Sequence, residues 1–314
     1  MTIPTQVFLS KDASSLGLTP HKLSVLLKTG ALRRPFKGVY CPSATPDTIE
    51  LRAQCAALVL PQHAVLCDRS AAWLHGVDCL RVFETVALPQ LEVVAIQGAG
   101  RTRMTGIYGG ERDLRPDEVM RIGGVPVTTP VRTAIDLACL RGAGLALAAV
   151  EGLMRMCGVT QSDLRRQLAR HHGRRGVVQA RRLVNVASPL SESPGESLTK
   201  WFLIEAGFPI PEQQIQVPLE GWGNCRLDLG YRELRIAIEY DGVLYHGDRQ
   251  AKHDEGRRRA LQEAGWVVIV VRKDDLMAGP AQTLWLEEVG MSFSERAPRF
   301  RRRFPPKTRS GAYN

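Results

Sequence analysis

The chain has 314 residues, 44% of them hydrophobic and 24% charged, with Lys and Arg outnumbering Asp and Glu by 42 to 32. At roughly 100 to 200 residues per domain this length holds two or three domains with their own cores. With no run of about 18 uncharged apolar residues, no signal-peptide pattern and no Cys-x-x-Cys pair among seven cysteines, the expectation is a cytoplasmic protein with reduced cysteines and neither membrane span nor zinc ribbon.

In chain order, Ser10 is placed to cap a first helix through KDASSLG, and Thr19-Pro20 opens a second over HKLSVLLKTG, closed by Gly30. Leu23, Leu26 and Leu27 share the buried face of that second helix, which leaves His21, Lys22, Ser24 and Lys28 outside. ALRRPFKGVYCP then predicts a β-ribbon with Arg33, Arg34 and Lys37 near its tip. Helix, turn, helix and ribbon over residues 1–45 form a winged-helix pattern. In that arrangement the second helix enters the major groove of DNA and the wing binds phosphates. A helical hairpin used for protein contact fits the same signals.

A middle region over 46–187 follows, with helices expected at 48–60 and 69–76 and a small sheet within 82–128. Helical periodicity resumes at Thr129-Pro130 and continues to the turn-rich SPLSESPGES, which sets a boundary near Ser188. Residues 165–182 hold seven Arg and no acid, and the tail from 296 holds six Arg, one Lys and no acid. Such runs attract polyanions through counterion release, although a solvated helix face and a basic tail account for them equally. His63, His75, His171 and His172 lack metal-ligand spacing.

The third region, 188–290, precedes a basic tail over 291–314. Ser193, Pro194 and Glu196 open a helix to about Ala206. Three strands follow (QIQVPL, CRLDLGY, ELRIAIEYDG), then a helix over about Arg249 to Ala264 and the strand WVVIVVR. The order is α-β-β-β-α-β. Asp228 interrupts an apolar surface, and Glu239 and Asp241 share one strand face. With a two-residue turn at Arg232 and Glu233, Asp228 lies opposite Ala237 and diagonal to Glu239, roughly 7 to 8 Å away. A turn one residue longer would part the acids. Carboxylates crowded on one face repel unless they share a cation, and oxygen ligands select Mg²⁺ or Mn²⁺, which would activate water against a phosphodiester. Structural roles stand beside these. Glu196 completes a capping box with Ser193, Asp241-Gly242 reads as a turn, and Asp254 with Arg258 is an i,i+4 ion pair.

Residues 193–276, with I-E-Y-D-G-x-x-Y-H and D-x-x-R-R-x-x-L, resemble the very short patch repair endonuclease-like group of the PD-(D/E)xK nuclease superfamily. The resemblance implies a restriction-endonuclease-like α/β core. Asp228 and Glu239 would be its metal-binding acids, Glu196 its helix acid, and His246, Asp254 and Arg258 its remaining polar positions. Where that superfamily carries lysine, this chain has Asp241, which adds negative charge. His246 is then the nearest substitute acid or base, and Lys252 or Arg258 the substitute cation. The front half, through D-R-S-A-A-W-L-H-G and G-G-V-P-V-T-T-P-V-R-T-A-I-D-L-A, is similar to AbiEi-type antitoxins over about residues 5–140. That likeness implies operator DNA bound by His21, Lys22, Ser24, Lys28, Arg33, Arg34 and Lys37, and a cognate toxin as partner. Two functions follow: a DNA-binding protein with a Mg²⁺-dependent endonuclease domain, or a non-enzymatic regulator or type IV antitoxin. A homodimer is compatible with both.

Overall fold

The computed structural model describes residues 4–79, 91–95, 107–140, 142–242 and 248–297. The first helix expected from the sequence is absent there. Ser10–Asp12 form a single 3-10 turn, and turns run on to Gly17. The segment buries only Ala13 between Ser10 and Gly17, and Ser15 Oγ donates to the Asp12 carbonyl at 2.7 Å, so side chains compete locally with helix bonds. Ser10 caps nothing; its Oγ lies 3.4 Å from the Tyr40 hydroxyl.

The second helix forms as its signals demand. Strand β1 (Phe8–Leu9) precedes α1 (Pro20–Lys28), where Thr19 Oγ1 accepts from the Lys22 N–H and Pro20 fills the first turn. β2 (Leu32–Phe36) and β3 (Val39–Pro42) make the ribbon, turning at Lys37 and at Gly38, whose φ of 80° favours glycine. The three strands order as β1-β3-β2. Phe8, Leu18, Leu26, Leu32 and Tyr40 form the core beneath α1.

Helix α2 (Ile49–Ala57) leads to β4 (Ala64–Leu66), α3 (Asp68–Leu74), β5 (Leu91–Ala95), β6 (Ile107–Glu111), β7 (Val119–Ile122), β8 (Val125–Thr128) and α4 (Pro130–Ala138). The five strands order as β6-β5-β4-β8-β7. β4 was not read from the sequence: three buried residues carry too few alternations to register as a strand. Its Leu66 joins Leu74, Val93, Val125 and Val127 in one core.

The chain divides into two compact units, Met1–Leu137 with Met156–His171, and Ala138–Arg155 with His172–Asn314. The sequence had suggested its main boundary near Ser188, between the regions 46–187 and 188–290. Helix α5 (Ala143–Cys157) belongs mainly to the second unit, α6 (Gln161–Ala169) to the first, and α7 (Val177–Val186) to the second. The reason lies in α8 (Pro194–Glu205), against which α5 is fitted. A Cβ at Gly144 would stand 2.8 Å from Leu198, and Glu151 and Lys200, both fully buried, form an ion pair.

The second unit continues with β9 (Glu212–Leu219), β10 (Gly223–Tyr231), β11 (Ile236–Asp241), α9 (Asp248–Glu263), β12 (Val267–Arg272) and α10 (Pro280–Arg296). Its sheet orders as β12-β11-β10-β9. β9, β10 and β11 pair antiparallel, while β12 pairs parallel with β11 after the crossover that a parallel pair requires, here carrying α9. α10 runs past residue 290, where the sequence had suggested the tail begins, because Phe293 is buried with its ring 4.7 Å from that of Tyr231. Among the described residues no helix is long and apolar enough to cross a membrane.

Candidate functional site

α1 exposes His21, Lys22, Ser24 and Lys28 and contains no acid. Arg34 and Lys37 are exposed on the ribbon beside it. Arg33 is placed differently from the sequence expectation. Its Nη2 donates to the Thr45 carbonyl at 2.9 Å and its Nη1 lies 3.9 Å from Asp47, so it braces the ribbon. Asp47 in turn accepts two bonds from Arg52, at 3.1 and 2.8 Å, which hold its carboxyl below the usual range.

Three of the seven arginines over 165–182 are engaged by ion pairs within the protein. Arg166 pairs with Asp163, Arg170 with Asp117 at 3.2 Å and Glu118 at 3.5 Å, and Arg182 with Glu205 at 2.6 Å. Three of these four acids lie more than 20 residues away, beyond the reach of a local charge count. The basic tail from residue 298 lies outside the described residues.

Inside the first unit the charged residues of D-R-S-A-A-W-L-H-G and V-R-T-A-I-D-L-A build a network the sequence did not reveal. Asp68, held at φ 47°, takes two bonds from Arg112 at 2.7 and 2.6 Å. Arg112 also reaches Asp136 at 2.9 Å. Arg132, only 1% exposed, donates to Asp136 at 2.8 Å and to Glu118 at 2.6 Å. Burial pushes the Asp136 carboxyl up, but His171, Arg112 and Arg132 outweigh it and hold the pKa at about 2. Only the Arg132–Asp136 pair, at i,i+4, had a signal in the sequence.

The second unit gathers the acids of the predicted catalytic set at one end of its sheet. The β10–β11 connection is a 3-10 turn over Arg232–Leu234 followed by Arg235 at φ 47°, two residues longer than expected. Pairing runs Tyr231↔Ile236, Gly230↔Ala237 and Leu229↔Ile238. A shift of two preserves the faces, so Asp228 and Glu239 become the next residues along the two strands rather than diagonal neighbours. The ladder opens there, and the Tyr240 N–H donates to Asp228 Oδ2 at 3.0 Å. Tyr240 packs on Gly195 of α8, where a Cβ would stand 2.1 Å from the ring.

Glu196 serves the start of α8. Its N–H donates to Ser193 Oγ at 3.2 Å, and its Oε2 accepts from the Glu192 N–H at 2.9 Å and Gln214 Nε2 at 3.2 Å. Gln214 itself sits at φ 54° in β9, with a buried Oε1 that finds no hydrogen-bond partner among the described residues. Burial raises the Asp228 pKa to about 6, and Glu196 and Glu239 add to the rise against the Tyr240 N–H.

Glu239 accepts two bonds from Arg257 of α9, both 2.8 Å. Arg258 Nη2 lies 3.7 Å from Asp241, and His253 Nδ1 lies 3.7 Å from Asp254. His246 and the side chain of Lys252 lie outside the described residues. The Mg²⁺ or Mn²⁺ expected between Asp228 and Glu239 does not fit these residues. Both Glu239 oxygens are occupied by a guanidinium, and among the described residues no group of three His, Cys, Asp or Glu is placed to hold a metal. Sequence reasoning looked to Lys252 or Arg258 for a cation and missed Arg257, one residue away on the same helix.

Residues 63–186 match the family of the AbiEi antitoxin C-terminal domain. That match starts at the first strand of the five-stranded sheet and includes the buried network; residues 1–45, which carried part of the sequence likeness, precede it. Over 268 residues, 84% of this chain and 94% of theirs, the chain is 31% identical to two uncharacterised proteins of Mycobacterium tuberculosis, MT2308 of strain CDC 1551 / Oshkosh and Rv2248 of strain ATCC 25618 / H37Rv. Identity at that level over 84% of this chain shows that it belongs to one family with the two mycobacterial proteins, while its residues 63–186 are similar to the AbiEi antitoxin C-terminal domain.

Proposed function

We propose that the protein is a DNA-binding regulator of the antitoxin kind, working in the cytoplasm as the non-enzymatic member of a type IV toxin–antitoxin pair. The observation that carries this is the acid-free face of α1, with His21, Lys22, Ser24 and Lys28 exposed beside Arg34 and Lys37. As a winged helix, the segment lays α1 in the major groove, where His21 and Ser24 meet base edges. Lys22, Lys28, Arg34 and Lys37 meet phosphates, which position the helix without reading sequence. Arg33 holds the ribbon in place from behind. The antitoxin role and a cognate toxin are supported by the match over residues 63–186.

The test is binding of the full chain to duplex DNA from upstream of its own gene, compared with an unrelated duplex of equal length. Changing Lys22, Lys28, Arg34 and Lys37 to Ala together should abolish binding, and unchanged affinity would refute the proposal. Phosphodiester hydrolysis by a restriction-endonuclease-like second unit is the competing reading. The grouping of Asp228 with Glu196 favours it, and the guanidinium on Glu239 opposes it. Adding Mg²⁺ to the same DNA decides the matter: cleavage lost in Glu239→Ala would reinstate the nuclease.

A further inference from the structure

The acids of β11 are matched, one for one, by successive arginines of α9. Glu239 and Asp241 are two residues apart on the strand, and Arg257 and Arg258 are adjacent on the helix. Arg257 meets Glu239 with two parallel bonds of 2.8 Å, where the carboxylate side chain is 8% exposed. Arg258 stands 3.7 Å from Asp241. We propose that Arg257, seconded by Arg258, is the built-in counter-cation of this acid strand, so that the sheet end of the second unit is a metal-independent structure that takes no divalent ion.

The chemistry is that of a fixed cation against a diffusible one. Carboxylates brought together in a partly buried place need positive charge nearby. A guanidinium stays charged at any ordinary pH, and its planar fork satisfies both oxygens of one carboxylate at once. A divalent ion would have to displace that fork, leave the guanidinium half-buried without its partner, and give up its own hydration. The remaining acid, Asp228, has a backbone N–H in place of a cation. This inference does not depend on DNA binding by α1, and its test is read without DNA.

The experiment titrates the intact chain with MnCl₂ at pH 7.5, following bound Mn²⁺ by electron paramagnetic resonance and the melting temperature in parallel. The parent protein should take up no Mn²⁺ that depends on these acids. A site filled at about 100 times its Kd would stabilise the chain by about 2.7 kcal/mol and raise the melting temperature by several degrees. No such rise is expected. Arg257→Met should melt lower than the parent, gain one Mn²⁺, and recover part of the loss when the ion is added. Should Arg257→Met fail to fold, Arg257→Lys replaces it, since one ammonium cannot span both oxygens and leaves one for the ion. Uptake of one Mn²⁺ by the parent, removed by Asp228→Asn, would overturn the proposal; uptake unaffected by Asp228→Asn belongs elsewhere and leaves it standing. An arginine variant that folds, melts like the parent and gains no Mn²⁺ would also overturn it.

Discussion

Replacing Asp228 with Asn should make the protein more stable, by a gain that grows as pH rises from about 4 and is complete above about pH 6. Asp228 has a pKa of about 6 in the folded chain, against 3.8 for an ordinary aspartate, with burial as the main cause and Glu196 and Glu239 behind it. Between those values the folded state holds a proton that the unfolded state has lost, so unfolding becomes easier as pH rises through this window. Below about 3.8 both states are protonated and nothing is lost. Above about 6 the full cost of the buried charge is present. The difference corresponds to about 3 kcal/mol at most, and to about 2 to 3 kcal/mol after allowance for the partial exposure of the side chain. Asn keeps a carbonyl for the Tyr240 N–H but carries no charge. Asp228→Asn should therefore gain about 2 to 3 kcal/mol at pH 8, a factor of about 30 to 160 in the unfolding equilibrium, and almost nothing near pH 4. Urea unfolding followed by tryptophan fluorescence suits the measurement, since Trp201, Trp222, Trp266 and Trp285 all lie in the second unit. A gain of equal size at both pH values, or a loss at pH 8, would refute the reasoning.

Lys200→Met leaves Glu151 as a buried anion with, among the described residues, the Ser188 N–H and the Ser191 and Ser197 hydroxyls as donors. Breaking such a pair should cost about 3 to 5 kcal/mol, read as a lower urea midpoint in the same fluorescence assay; a loss under 1 kcal/mol would show that the serines suffice. Gly195→Ala drives a methyl into the Tyr240 ring and should destabilise by about 1 to 3 kcal/mol as overpacking does, whereas an unchanged melting curve would mean that α8 shifts freely. If Lys22, Lys28, Arg34 and Lys37 each meet one phosphate, the affinity for DNA should fall with salt at a logarithmic slope of about −3.6, and at about −1.8 in Lys22→Ala/Lys28→Ala. Fluorescence anisotropy between 50 and 200 mM salt measures both slopes, and equal slopes would remove α1 from the interface.

Some features of this protein were settled within a few residues of chain, and those were legible in the sequence. Thr19 and Pro20 start α1 because a cap and a fixed φ act over one helical turn. The leucines at 23, 26 and 27 turn His21, Lys22, Ser24 and Lys28 outward through the helical period alone. The run from α8 to β12 shows its order of helix and strands because each element is marked by its own alternation and stop residues. The first helix failed for an equally local reason: Ser15 found a nearer partner in the Asp12 carbonyl. What only the tertiary structure decided is where each charge ends. Glu239 meets Arg257 across 18 residues, Asp68 meets Arg112 across 44, and Lys200 meets Glu151 across 49. The length of the β10–β11 turn, with its left-handed Arg235, likewise belongs to the packed sheet. Periodicity and caps report on neighbours in sequence, whereas an ion pair depends on which distant segments a shared core brings side by side. The seven arginines of 165–182 therefore suggested a surface for polyanions, and the fold gave four acids from three separate segments to three of them.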